Sequence, residues 1–139
     1  MKASHKIAAV FDDPNLVSDA GLVPVLQLAE AAGLHELLTQ QLSVASANAA
    51  AKATSVVGGM LAGADSIDDL DLLRAGGMAR LFDGVRAPST LGTFLRSFTH
   101  GHVQQLDAVG GQLLAGLTRR VPQTIAGADT TAGIAFVDV

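Results

Sequence analysis

The sequence predicts a mainly α fold: a multi-helix domain with a helix-turn-helix-like segment, plus a short N-terminal strand and a strand at the end of the chain. Three observations predict it. Leu91, Phe94, Leu95 and Phe98 fall at i, i+3, i+4, i+7, the spacing of one helix face. Ser, Asp or Asn stands ahead of several apolar runs and Gly behind them, the start and stop signals of helices. Composition is the third: 49% of the 139 residues are hydrophobic, but with 15 Gly, five Phe and no Trp or Tyr. That points to a core of small side chains and close helix contacts. The length fits one domain. Few large anchors are available, and each would cost about 3–5 kcal/mol on truncation to Ala.

Ile7 to Phe11 reads as a short strand and Asp12-Asp13-Pro14-Asn15 as a turn. Ser18 or Asp19 can cap a first helix with Pro24 in its opening turn and Gly33 at its end. Leu34 to Leu42 is a second, short helix. The pair from Leu22 to Leu38 fits a helix-turn-helix or an αα-hairpin, and it carries no Lys or Arg, so DNA is not placed there. Asn48 can cap a longer helix to about Ala62. Gly58-Gly59 weaken that helix by about 1 kcal/mol each relative to Ala, while permitting close backbone approach. Ser66-Ile67-Asp68-Asp69 is a helix N-terminal signal with acids in the first turn, and Gly76-Gly77 ends the helix that carries Leu70, Leu72 and Leu73.

Met78 to Phe82 then reads as a short helix, residues 83–88 as a turn, and Ser89 as the cap of a helix bearing the Leu91–Phe98 stripe. Thr90, Thr93 and Arg96 fall on its other faces. A short helix, a turn and a capped amphipathic helix flanked by arginines make a helix-turn-helix candidate, although the turn exceeds the usual three or four residues. An ordinary helical hairpin with surface arginines fits equally well. A long helix spans about Val103 to Arg120, with Arg119 and Arg120 at its favourable C-terminal end. Residues 122–133 form a linker, and the closing strand starts at Ile134.

Charge is unevenly spread within a formal net of −4. Residues 1–73 hold Lys2, Lys6 and Lys52 against nine acids, whereas residues 74–106 hold Arg74, Arg80, Arg86 and Arg96 against Asp83 alone. Arginine suits bidentate phosphate and guanine contacts, and a solvated helical surface explains the same run. The absence of Cys excludes disulfides, thiol chemistry and Cys-based metal sites. His100-Gly101-His102 does not make a metal pair, since residues two apart do not share a helix face and no third ligand is near. The apolar stretch after Lys6 is too short for a signal peptide. Ala49 to Ala64, interrupted by Lys52, falls short of the roughly 20 apolar residues of a membrane span. A cytoplasmic protein with no membrane partner is expected.

Five segments in order then carry a resemblance: Phe11-Asp12-Asp13-Pro14-Asn15-Leu16-Val17-Ser18-Asp19-Ala20-Gly21-Leu22, Gly63-Ala64-Asp65-Ser66-Ile67-Asp68-Asp69-Leu70-Asp71, Arg86-Ala87-Pro88-Ser89-Thr90-Leu91-Gly92-Thr93-Phe94-Leu95-Arg96, His102-Val103-Gln104-Gln105-Leu106-Asp107 and Ala135-Phe136-Val137-Asp138-Val139. The chain resembles the N-terminal part of a DDE transposase of the insertion sequence 1380 group, related to the insertion sequence 4 type enzymes. The resemblance implies a helical N-terminal domain over residues 1–121, the linker 122–133, and in residues 134–139 the first strand of an RNase H-like catalytic domain that is otherwise missing. In such enzymes two Asp and one Glu hold Mg²⁺ for phosphoryl transfer. Asp138 matches the leading Asp of the first metal-binding run, and the rest of the triad is absent, so no catalytic residue and no cofactor are expected here. Asp129-Thr130-Thr131 imitates that run but sits in the linker. The resemblance implies DNA at transposon ends as partner, with full-length transposase or a second copy as others. Arg74, Arg80, Arg86, Ser89, Thr90, Thr93 and Arg96 are the candidate DNA contacts. A helical protein-interaction or oligomerisation module, or a truncated product without function, stand as alternatives, the first favoured by the acidic helices of residues 19–73.

Overall fold

The computed structural model describes residues 13–120. Among them are five α-helices, α1 (Leu22–Ala31), α2 (Leu34–Gln41), α3 (Ala49–Leu61), α4 (Pro88–Arg96) and α5 (His100–Arg120). Two 3-10 helices, Asp68–Arg74 and Gly76–Arg80, run between α3 and α4. No strand occurs among the described residues, and the fold is mainly helical as the sequence predicts. The expected strands over 7–11 and 134–139, the linker 122–133, Asp129 and Asp138 all lie outside the described residues.

Helix positions follow the sequence signals, but the capping chemistry differs. Gly21, not Ser18 or Asp19, holds the N-cap position of α1, and no side chain caps it. The Leu22 amide donates instead to the Asp19 carbonyl at 3.1 Å, so a backbone turn supplies what a capping side chain would. Gly33, at φ +100°, makes the sharp turn into α2. Asn48 does stand at the N-cap of α3, but in the left-handed region and with no side-chain cap bond. Asparagine tolerates that conformation better than most residues. At the other end Gly63 donates to the Met60 carbonyl and Ala64 to the Gly59 carbonyl, the paired bonds of a Schellman ending.

The helix expected after Ser66 is a 3-10 helix, not an α-helix. Side chains three apart eclipse in that geometry, which lines Leu70 and Leu73 along one edge, both buried. That edge lies on the glycines of α3. A Cβ on Gly59 would overlap the Leu70 side chain, and one on Gly58 would stand 3.3 Å from Leu73 Cδ1. The expected start signal holds: Ser66 Oγ donates to Asp69 Oδ2 at 2.6 Å while the Asp69 amide donates back to Ser66 Oγ at 3.3 Å. The Ser66 hydroxyl bond, with a smaller contribution from Asp65, holds the Asp69 carboxyl below its ordinary value.

The helix-turn-helix-like segment is not built as expected. The short helix ahead of the turn is a five-residue 3-10 helix, Gly76–Arg80, and its Cα atoms stay more than 8 Å from those of α4. Met78, fully buried, is drawn into a cluster with Leu22 and Leu73. Gly77 donates to the Leu16 carbonyl at 2.7 Å, tying the segment to the N-terminal loop. α4 packs instead on Asp68–Arg74 and α3. Ser89 is not its cap either: Ala87 holds the N-cap position and Pro88 opens the helix.

α5 begins at His100, before the expected Val103, because Thr99 and His102 close its first turn. The Thr99 amide donates to His102 Nδ1 at 3.0 Å, and the Val103 amide donates to the Thr99 carbonyl. His100-Gly101-His102 is a helix start. The larger core cluster joins Leu34, Leu38 and Leu42 to Val44, Ala50, Ala53, Phe94 and Val109. Phe94 and Phe98 meet edge to face with centroids 5.0 Å apart. Gly116 brings α5 onto α1, where a Cβ would stand 2.6 Å from the Ala32 carbonyl oxygen. Gln105 and Gln112 of α5 hydrogen-bond Ser43 and Gln41 at the end of α2. Among the described residues no helix is long and apolar enough to cross a membrane.

Candidate nucleic-acid interface

Helix α4 is divided cleanly by its sequence. Leu91 and Phe94 are buried, and Gly92 lets the Ile67 side chain lie close against the backbone. Ser89, Thr90, Thr93, Arg96 and Ser97 are exposed on the remaining faces. The amphipathic stripe therefore orients the polar residues in the way its spacing predicts.

Apart from Arg96, exposed near the end of α4, the candidate residues separate into three groups. Ser89, Thr90 and Thr93 come together, lining a cleft of about 400 Å³ with Ala45, Ser46, Lys52, Phe94 and Ser97. Lys52, on α3, joins them although no sequence pattern groups it with α4. Its ammonium donates to Ser46 Oγ at 2.8 Å and lies 5.9 Å from the Phe94 ring centroid. Only the pairing of α3 with α4 makes it a neighbour of Ser89, which stands 37 positions away by number.

Arg74 and Arg80 are held by other surface groups. Arg74 Nη1 donates to Asp71 Oδ1 at 2.6 Å, with both side chains about half exposed. This is the one ion pair among the described residues. Such surface pairs are worth about 0–1 kcal/mol, so Arg74 can exchange its partner for a phosphate at little cost. Arg80 donates to Asn15 Oδ1 at 3.4 Å.

Arg86 stands apart. It is half-buried and lines a different cavity, of about 350 Å³, with Leu26, Glu30, His35, Thr54 and Ser55. Its Nε is buried without a hydrogen-bond partner. Arg86 shares no cavity with Ser89, three residues later. The four arginines are thus not a single basic patch in which each plays the same part.

No group of three or more His, Asp or Glu among the described residues could hold a metal ion. No protein family, no curated protein and no solved structure matches this chain.

Proposed function

We propose that this chain is the DNA-binding N-terminal region of a transposase, engaging the terminal inverted repeats of its element through the outer face of α4. One observation carries the DNA reading: α4 buries Leu91 and Phe94 and leaves Ser89, Thr90, Thr93 and Arg96 exposed, the first three around a cleft that also holds the uncompensated cation Lys52. Hydroxyls and amides fix register on phosphates, and an arginine at the helix end can add a phosphate or guanine contact. Arg74 and Arg80 are near enough to solvent to extend the contact, whereas Arg86 serves chiefly to fill the cavity beside α1.

The transposase assignment rests on the ordered motifs of the sequence. On that reading residues 134–139 open an RNase H-like catalytic domain, Mg²⁺ belongs to the parent enzyme, and the chain works in the cytoplasm. The residues described here do not fit a Mg²⁺ site, since they gather no carboxylate cluster and Asp138 lies outside them. On that reading the region contributes DNA binding, and the chemistry belongs to the parent enzyme.

The test is binding of the chain to duplex DNA by fluorescence anisotropy over a range of salt. Wild type is expected to bind with a steep salt dependence. Combining Thr93→Glu with Arg96→Glu, both at exposed positions, is expected to abolish binding while leaving the circular dichroism spectrum unchanged. Undiminished binding by that folded variant would move the interface off α4.

A second reading is favoured by a different surface. An apolar cleft of about 300 Å³ lies among α2, α3, α4 and α5, and Met60, Leu61 and Leu114 are exposed on α3 and α5. A second copy of the chain covering them would make this an oligomerisation module. Sedimentation at increasing concentration tests it: self-association that Met60→Glu and Leu114→Glu abolish would favour this reading.

A further inference from the structure

We infer that the cavity beside α1, lined by Arg86, is a small-molecule site for a zwitterion with an apolar body, the chemical class of an apolar α-amino acid. The site is separate from the outer face of α4 and does not depend on the DNA reading.

The first ground is the state of Arg86. It is half-buried, its Nε is buried with no hydrogen-bond partner, and no carboxylate among the described residues lies within ion-pair distance. Arg74 and Arg80, in the same stretch of sequence, both have partners. A buried donor left unpaired costs free energy, most of all on a charged group. The neighbouring hydroxyls do not relieve it, since Thr54 and Ser55 donate to the Ala50 and Ala51 carbonyls one turn back on α3. Turned toward the open space, the guanidinium can offer its Nε–Nη edge to a carboxylate, whose two oxygens match it.

The second ground is the cavity itself. With Arg86 in place about 350 Å³ stays open, room for a small metabolite rather than a single water. Its apolar walls come from distant parts of the chain: Leu26 on α1, Leu73 on the first 3-10 helix, and Leu81 and Phe82 ahead of α4. Phe82 packs against the cluster of Leu22, Leu73 and Met78, whereas Leu81 is left exposed. An apolar body on the ligand would take this surface out of water.

The third ground is the balance of charge. Glu30 and Asp83 line the same cavity, both exposed and neither paired with a cation among the described residues. Arg86 is the sole Lys or Arg of the lining. One guanidinium against two carboxylates opposes a multiply charged anion such as a phosphate. A ligand with a carboxylate for Arg86, an ammonium for Glu30 or Asp83, and an apolar body between the walls complements each kind of group present.

The test titrates L-leucine into the full chain and follows backbone amide shifts by NMR. The wild type is expected to show saturable shifts centred on Thr54, Ser55 and residues 81–86. Arg86→Met, which keeps an unbranched apolar stem, is expected to bind about tenfold or more weakly, the loss of a charged hydrogen bond. Because it also removes the unpaired donor, it should melt about 2–8 °C higher than wild type without ligand. Thr54→Leu fills the cavity with Arg86 intact and should lose leucine binding as well. Isocaproate, which is leucine without its ammonium, should bind about tenfold more weakly than leucine. Leucine shifts that persist in both variants, isocaproate bound as tightly as leucine, or no saturation in the wild type would overturn the site. A lower melting temperature for Arg86→Met would overturn it too, since the arginine would then serve the fold.

Discussion

The segment Asp68–Arg80 and helix α4 look alike in sequence, each short, leucine-bearing and followed or preceded by arginines, yet they reach the core by opposite means. α4 inserts large side chains: Phe94 joins the core cluster of α2, α3 and α5, Leu91 is fully buried as well, and the helix keeps a polar outer face. The first 3-10 helix gains its contact from what α3 lacks, pressing Leu70 and Leu73 onto Gly58 and Gly59. Their arginines differ in the same way. Arg74 and Arg80 are engaged by Asp71 and Asn15, while Arg96 stays exposed near the end of α4. A run of like charges in sequence is therefore not a patch. What each arginine meets is decided by the element on which it sits.

The comparison can be broken most forcefully at its large side chain. Phe94→Ala should cost about 3–5 kcal/mol in urea unfolding, since it empties a site that is 2% exposed. Gly59→Ala should come next, at roughly 1–3 kcal/mol, because the added methyl meets Leu70. Gly58→Ala should be milder and close to neutral. Its contact is looser, and the gain in helix propensity of about 1 kcal/mol offsets the crowding. If Gly59→Ala proves as neutral as Gly58→Ala, the close approach is not what holds the 3-10 helix.

Smaller effects sharpen the contrast at the surface. The carboxyl of Asp69 is lowered in the folded protein, so its contribution is present above the ordinary carboxylate value and is lost as pH falls through the lowered one. Ser66→Ala removes the main cause of that shift. It should flatten the acid side of the stability profile, measured by thermal melts below about pH 4. Arg74→Ala should change stability by less than about 1 kcal/mol, the ceiling for an exposed pair. A larger loss would mean that the arginine anchors the 3-10 helix after all.

Much of the helical order was legible because it rests on local rules. The Leu91–Phe98 stripe, the stop at Gly33, the end of α3 near Ala62 and the Ser66–Asp69 start signal all lie within a turn or two of the residues that set them. The misreadings share a cause. Ser18, Asp19 and Ser89 have the chemistry of caps, but backbone turns and Pro88 satisfy those helix starts without them. The helix ahead of α4 has an ordinary local pattern, yet Met78 and Gly77 are claimed by Leu22, Leu73 and Leu16 from other parts of the chain.

The candidate site divides along the same line. The outward turn of Thr90, Thr93 and Arg96 follows from periodicity alone, because burying one helix face exposes the others. The membership of Lys52 and Ser46, and the departure of Arg86 into another cavity, depend on which helices pack together. By itself the sequence determined that this protein is helical, where most helices lie and which face of α4 meets water, since each depends on short-range geometry. Tertiary structure decided the 3-10 geometry of Asp68–Arg74, the partner of α4 and the company each basic residue keeps. Those outcomes depend on contacts between residues far apart in the chain, whose packing outweighs local preference.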